Sequence, residues 1–310
     1  MLIGIDIGGT KCAVILGTES GEVITKEKFA TTNVSDTVDR ILSSAKKLAQ
    51  GNAVKACGVS CGGPLDEKNG IILSPPNLPG WDRIRIKELL ENALGVPCGV
   101  RNDANACAMA EWRYGAGRGC ENMVFLTFGT GLGAGIIIGG KLYSGTNAFA
   151  GEVGHMRLED DGPEGYGKKG SFEGFCSGGG IKRLGKIYAA KAEENGEKVP
   201  WAAGDFSAAD IAVAAREGDK TAKAVYDKCA EKLGQGLSTI IDILNPERIV
   251  IGSIYARSHD LLDEKMYEVL KKETLPAPLS ACKILPAELG EAIGDMAALG
   301  VAAEVCDGLH

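Results

Sequence analysis

Apolar positions at the start of the chain come in short runs with a glycine break between them. Leu2 to Ile7 reads as a strand, Gly8-Gly9-Thr10 as a tight turn, and Cys12 to Leu16 as a second strand rich in β-branched residues. Val23 to Phe29 continues as a third strand. From Ser35 to Ala49 the period becomes helical, because Val38, Ile41, Leu42, Ala45 and Leu48 recur at helical spacing, with Ser35 as the expected cap. Val54 to Ser60 returns to strand. A Gly/Pro-rich loop is expected from Cys61 to Asp82, then a short helix from about Ile84 to Leu94, a strand Pro97 to Arg101 and a helix beginning near Ala104. Strands alternating with helices predict an α/β lobe.

Near residue 118 the pattern restarts. LIGIDIGGTKCAVIL at the beginning resembles MVFLTFGTGLGAGIII from Met123 to Ile138, each reading as strand, glycine turn, strand. A repeated unit at this separation predicts two related lobes that offer glycine turns to one ligand cleft, and excludes a short-period solenoid. Helical patterns follow at Gly180 to Glu194, Ala208 to Glu217 and Thr221 to Leu244, then a strand at Arg248 to Ile251 and a closing helix at Ala292 to Val305. The expected division is a small lobe of residues 1–118 plus 292–310 and a larger lobe of residues 119–291.

Composition narrows the ligand. The chain has 310 residues, 45% apolar and 24% charged, with a formal net charge of −7. Such a balance suits an ordinary folded protein and opposes non-specific binding to a nucleic-acid backbone, so a small molecule is the expected partner. The start carries no basic leader with a long apolar region, and no window of roughly 18 charge-free apolar residues suggests a membrane span. A cytoplasmic location is expected. The ten cysteines are scattered, mostly through strand-like or helix-like text, without a CxxC pair, and read as buried reduced thiols.

The turns suggest the chemistry. Asp6-Ile7-Gly8-Gly9-Thr10-Lys11 joins two strands, so backbone N–H groups can approach phosphate oxygens unobstructed, with a hydroxyl and a cation alongside and Asp6 facing the metal. Gly129-Thr130-Gly131-Leu132-Gly133-Ala134-Gly135 superficially fits a dinucleotide fingerprint. The strand-like Ile136-Ile137-Ile138 follows instead of a helix, so a Rossmann reading fails, and no Gly-Lys-Ser/Thr makes it a Walker loop. Arg101-Asn102-Asp103-Ala104-Asn105 follows a strand and opens a helix. Asp103 there suits either a helix cap or a base that accepts the proton of an attacking hydroxyl. Glu152 and His155 within Glu152-Val153-Gly154-His155, and Glu173 beyond them, supply groups able to grip sugar hydroxyls.

Two hairpin phosphate loops in related lobes resemble the two-lobed actin/hexokinase-like (ribonuclease H-like) ATPase architecture. The ordered motifs further resemble the ROK family of sugar kinases and repressors: DIGGTK at 6–11, Gly-Gly-Pro at 62–64, SPPNLPGW at 74–81, RNDANA at 101–106, FGTGLGAG at 128–135, GEVGH at 151–155, NPERIVIG at 245–252 and GDMAALGVA at 294–302. The resemblance implies ATP-dependent phosphorylation of a hexose hydroxyl, with Asp103 as general base. It implies Gly63, Asn77, Asn102, Asp103, Glu152, His155 and Glu173 as sugar ligands, and Gly9, Thr10, Lys11, Thr130, Gly131 and Gly252 as ATP ligands. ATP would come with Mg2+, near Asp6, and a homodimer is plausible on the same ground.

Two departures stand out. ROK proteins commonly carry zinc-binding cysteines after the histidine, whereas this chain has Glu164, Tyr166 and Ser171 there, so no structural zinc is expected. Local packing, with Tyr166 a candidate, is then expected to hold the loop. Ser253 stands where a second glycine often follows Gly252. The sugar is left open among glucose-type hexoses, N-acetylmannosamine, allose, mannose and fructose. The competing reading is a sugar sensor without turnover; the DNA-binding repressors of the family carry an extra N-terminal module, which is not expected here because the hairpin starts at residue 3.

Overall fold

Strands β1 (Leu2–Ile7) and β2 (Lys11–Gly17) pair antiparallel from Leu2↔Gly17 to Ile7↔Cys12, and β3 (Val23–Ala30) adds to β2. Strands β4 (Ala56–Cys61) and β8 (Cys98–Asn102) extend the other side in parallel, giving the order β3-β2-β1-β4-β8. This computed structural model describes residues 1–308. The alternation along β1 and β2 explains why both sheet faces are covered. Ile3, Ile5, Cys12 and Val14 pack with Val38, Ile41 and Ala45 of α1 (Val34–Ala49). Leu2, Ala13 and Ile15 face Ala298, Leu299 and Ala302 of α10 (Ile293–Asp307) on the opposite side. Each fully buried aliphatic side chain contributes about 1.5–3 kcal/mol. The small residues of α10 permit close approach: a Cβ on Gly58 would come within 2.2 Å of the Ala302 nitrogen.

The helix cap differs from expectation. Asn33, not Ser35, caps α1, its side chain accepting from the Asp36 N–H at 3.0 Å. The expected loop 61–82 also contains structure: β5 (Leu65–Asp66), β6 (Ile71–Leu73) and β7 (Asp82–Ile84) form a small antiparallel sheet before α2 (Ile86–Leu94). Two- and three-residue strands are too short to leave a period in the sequence.

Helix α3 (Asp103–Tyr114) leads into the second half. There β9 (Met123–Phe128), β10 (Leu132–Ile138) and β11 (Lys141–Leu142) run antiparallel, while β14 (Arg248–Ile251) and β15 (Lys283–Pro286) join β9 in parallel. The order β11-β10-β9-β14-β15 repeats that of the first sheet strand for strand. Between β11 and β14 lie the hairpin β12 (Glu164–Gly165) and β13 (Lys168–Lys169), then α4 (Phe172–Phe175), α5 (Gly178–Glu194), α6 (Ala208–Arg216) and α7 (Lys220–Leu244). Two helices absent from the sequence reading, α8 (Ile254–Glu273) and α9 (Pro276–Ala281), precede β15. Val124, Leu126 and Ile249 of the sheet pack with Ile181, Leu233, Leu237 and Tyr255 from the helices.

Helix α3 bridges the halves. Its Ala106 and Ala110 meet Met296, Ala297 and Val301 of α10, whereas Ala108 and Met109 join Met123, Phe125 and Val250 of the second sheet. The two halves therefore meet along a helix whose first residue is Asp103. Eight of the ten cysteines are buried and two are half-buried, all as free thiols. Among the described residues no helix is long and apolar enough to cross a membrane.

Candidate active site

A cleft of about 990 Å³ opens between the halves. Its floor is built by the end of β8 and the start of α3. Asn102 caps α3, accepting from the Ala104 N–H at 3.0 Å, and the Asp103 Oδ1 accepts from the same N–H at 2.8 Å. Asp103 both serves the helix end and opens to the cleft. Burial among surrounding protein pushes its pKa up, partly offset by the Ala104 bond. A carboxyl with raised proton affinity at a cleft floor is suited to accept a proton.

One wall comes from the loop after β4. Gly63 and Asn77 line it, and a Cβ on Gly63 would come within 3.2 Å of the Asn102 amide nitrogen. The opposite wall comes from the second half: Thr130 and Gly131 of the β9–β10 turn, with Glu152, His155 and Glu173. Their placement follows from glycines. Gly151, at φ 96°, accepts from the Ala134 N–H at 2.9 Å, and a Cβ there would strike the Ala134 oxygen at 2.1 Å. Only glycine lets this segment lie on β10 and turn Glu152 and His155 toward the cleft. Glu173, on α4, accepts from the Leu132 N–H at 3.0 Å and so fixes the second turn.

The expected nucleotide residues Gly9, Thr10, Lys11 and Gly252 lie outside the lining of this cleft. Two of their loops border it closely: a Cβ on Gly9 would reach 2.3 Å from the Asn77 oxygen, and one on Gly129 would lie 3.4 Å from Ser253 Oγ, next to Gly252. Asp6, at the end of β1, is pushed up to about 6, first by burial and then by the charges of Asp295 and Asp103; Lys28 and Lys11 oppose the rise. Asp295 itself pairs with Lys26, Nζ to Oδ2 at 2.5 Å. Positive charge brought with a nucleotide would relieve the raised proton affinity of Asp6.

The loop after His155 is held by protein groups. Tyr166 and Gly167, at φ 46° and 74°, form the two-residue turn between β12 and β13. The Tyr166 ring stands edge-on to His155 at 5.4 Å, and Lys168 Nζ donates to the His155 oxygen at 2.6 Å. Glu159 pairs with the buried Lys232 at 2.6 Å, tying the loop to α7. Ser171 caps α4 by accepting from Gly174 N–H at 3.1 Å. Among the described residues no group of three or more His, Cys, Asp or Glu side chains could hold a metal ion. Cys176 is packed, its thiol donating to the Cys229 oxygen at 3.5 Å. Ser253 takes φ 54°, a conformation that favours glycine.

Residues missed from sequence also line the cleft: Glu67, Asn105 and Phe149. Glu67 sits in a polar turn where acids are usually solvated, Asn105 was read only as part of its motif, and Phe149 is one apolar residue in a loop. No periodic signal distinguished them.

This repeated sheet-and-hairpin pair around a central cleft is the actin/hexokinase-like fold of the sugar kinases. The chain belongs to the ROK family, whose sequence model matches residues 2–305. It is 32% identical over 312 aligned positions to a glucokinase of Streptomyces coelicolor, covering 98% of each chain. It superposes with a TM-score of 0.75 and 33% identity on a ROK family glucokinase from Streptomyces griseus solved in complex with glucose and AMPPNP, covering 98% of this chain and 99% of that one. A xylose repressor of Caldicellulosiruptor bescii is also similar, 30% identical over 91% of this chain and 73% of its own.

Proposed function

We propose that the chain is an ATP-dependent hexose kinase, with glucose-type sugars as the first substrate class and Asp103 as general base. The observation that carries this is Asp103 itself: a carboxylate of raised pKa on the cleft floor, facing the Thr130-Gly131 turn and close enough to Asp6 to raise its pKa. The glucokinase relatives support the sugar and ATP readings.

In the proposed reaction Asn102, Glu152, His155 and Glu173, with Asn77 and the Gly63 backbone nearby, orient the sugar. Its hydroxyl gives its proton to Asp103 as the oxygen bonds to the γ-phosphorus, and the bond to the ADP oxygen breaks. Gly9, Thr10, Lys11, Thr130, Gly131 and Gly252 would hold ATP. Mg2+ carried with the nucleotide, near Asp6, would neutralise phosphate charge. The lobes are taken as residues 1–118 plus 292–310 and residues 119–291, consistent with α10 packing on the first sheet. Their closure would exclude water and favour the sugar over hydrolysis.

The test is sugar-dependent ADP release across hexoses and N-acetylhexosamines, with Asp103→Asn as control and zinc measured on the same protein. Turnover lost in the variant supports the kinase and names its sugar. Sugar binding with no turnover supports the second reading, a sensor, which the xylose repressor match favours.

A further inference from the structure

Glu67 is the only acid of its turn that points inward: it is 8% exposed, while its neighbour Asp66 bonds locally to Asn69. Its Oε1 accepts from the Asn102 N–H at 2.7 Å and from Asn105 Nδ2 at 3.1 Å. Its Oε2 lies 3.7 Å from Arg101 Nη1. Arg101 also holds Glu304 of α10, Nε to Oε2 at 3.0 Å and Nη2 to Oε2 at 2.9 Å. Strand β8 is the edge of its sheet, so the Asn102 N–H takes this carboxylate in place of a neighbouring strand. Asn105 is 2% exposed and its Oδ1 has no protein partner, which leaves Glu67 as the group that orients the Asn105 side chain.

One buried carboxylate thus contacts positions 101, 102 and 105, on both sides of Asp103. We propose that Glu67 is a positioning residue for the acceptor end of the cleft, holding the helix cap Asn102 so that the caps and carboxylate of Asn102 and Asp103 meet the sugar in one geometry. The inference rests on the kinase reading for its kinetic consequence but not for its structural one. Glu67 touches neither the proposed reacting atoms nor the nucleotide loops; it acts through the Asn102 backbone and the Asn105 amide. Misplacing a reacting group by an ångström costs about 10²-fold in rate.

Glu67→Ala and Glu67→Gln separate positioning from bulk stability. Gln retains an acceptor oxygen for both bonds, whereas Ala retains none. The expected result for Glu67→Ala is a fall in kcat of about 10- to 100-fold, weaker glucose binding by calorimetry, unchanged AMPPNP affinity, and faster amide hydrogen exchange across residues 101–106. Glu67→Gln should stay within about threefold of the parent in kcat. Unchanged exchange in Glu67→Ala overturns the proposal, and so does an equal loss of glucose and AMPPNP affinity, which would mean general unfolding. Equal defects in both variants overturn it too. A parent protein that binds glucose without turnover sinks the kinase reading alone, since exchange and glucose affinity still decide the role of Glu67.

Discussion

The two sheets share strand order and hairpin, yet their turns are chemically unlike. In the first, residues 8–11 lie between the paired Ile7 and Cys12; in the second, residues 129–131 lie between Phe128 and Leu132, one residue fewer. Asp6 near the end of β1 corresponds to Thr127 near the end of β9. Asp6 is buried among like charges, whereas Thr127 accepts from the Gly133 N–H of its own hairpin at 2.9 Å. The second turn gains rigidity from Glu173 on the Leu132 N–H, and the first has Lys11 and Lys28 at its margin. Duplicated backbone geometry therefore supports a division of labour: one side concentrates charge, the other presents a neutral turn clamped from outside.

The largest expected effect lies on the floor between them. Asp103→Asn should lower sugar-dependent kcat by about 10²–10⁴ while sugar affinity by calorimetry stays within a few-fold; near-parental turnover would remove the base. Asp6→Asn should follow, costing on the order of 10²-fold in turnover with Mg-ATP, against less than about tenfold for Thr127→Ala. Equal losses in those two variants would end the distinction between the turns. Glu173→Gln should weaken sugar binding about tenfold, with a smaller loss of ATP affinity through the turn it clamps; a loss of ATP affinity with sugar affinity unchanged would reassign Glu173 to the nucleotide.

The pH dependence sharpens the same contrast. The kcat/KM for ATP, which reports the free protein, should fall on the acid side with an apparent pKa near 6, where Asp6 takes up a proton. For stability the sign is opposite. Asp6 binds its proton more tightly folded than unfolded, so between its ordinary value of 3.8 and about 6 its contribution falls as pH rises. Without Mg2+, Asp6→Asn should therefore be more stable than the parent at neutral pH by about 2 kcal/mol, after allowance for cleft solvent. Urea unfolding across that range checks this, and a parallel pair of curves would refute it. The smallest effect is expected at Ser253, where glycine removes the positive-φ cost: Ser253→Gly should gain about 1 kcal/mol in the same assay.

How much was legible depends on whether a residue acts locally. Asp103 was visible because a strand end, a cap signal and an acid coincide within RNDANA, and the paired hairpins because each is a contiguous strand-turn-strand. The cap of α1 shifted from Ser35 to Asn33 because Asn, Val and Ser all precede the helical period and only backbone geometry chooses among them. The sheet β5-β6-β7 lay hidden in a Gly/Pro-rich loop because its strands are too short for a period. Tyr166 was a candidate for holding the loop after His155, but its partnership with His155 and the Glu159–Lys232 pair required the fold.

By itself the amino-acid sequence determined the α/β class, the duplicated hairpins, the motif order and the acid at the head of α3, since these depend on neighbours within a few residues. Only the tertiary structure decided that Glu67 accepts from the Asn102 N–H beside that acid, that α3 packs against both α10 and the second sheet, and that Asp6 feels the charges of Asp295 and Asp103. Such relations join residues far apart in the chain, and burial, which sets their strength, exists only once the two sheets have closed around them.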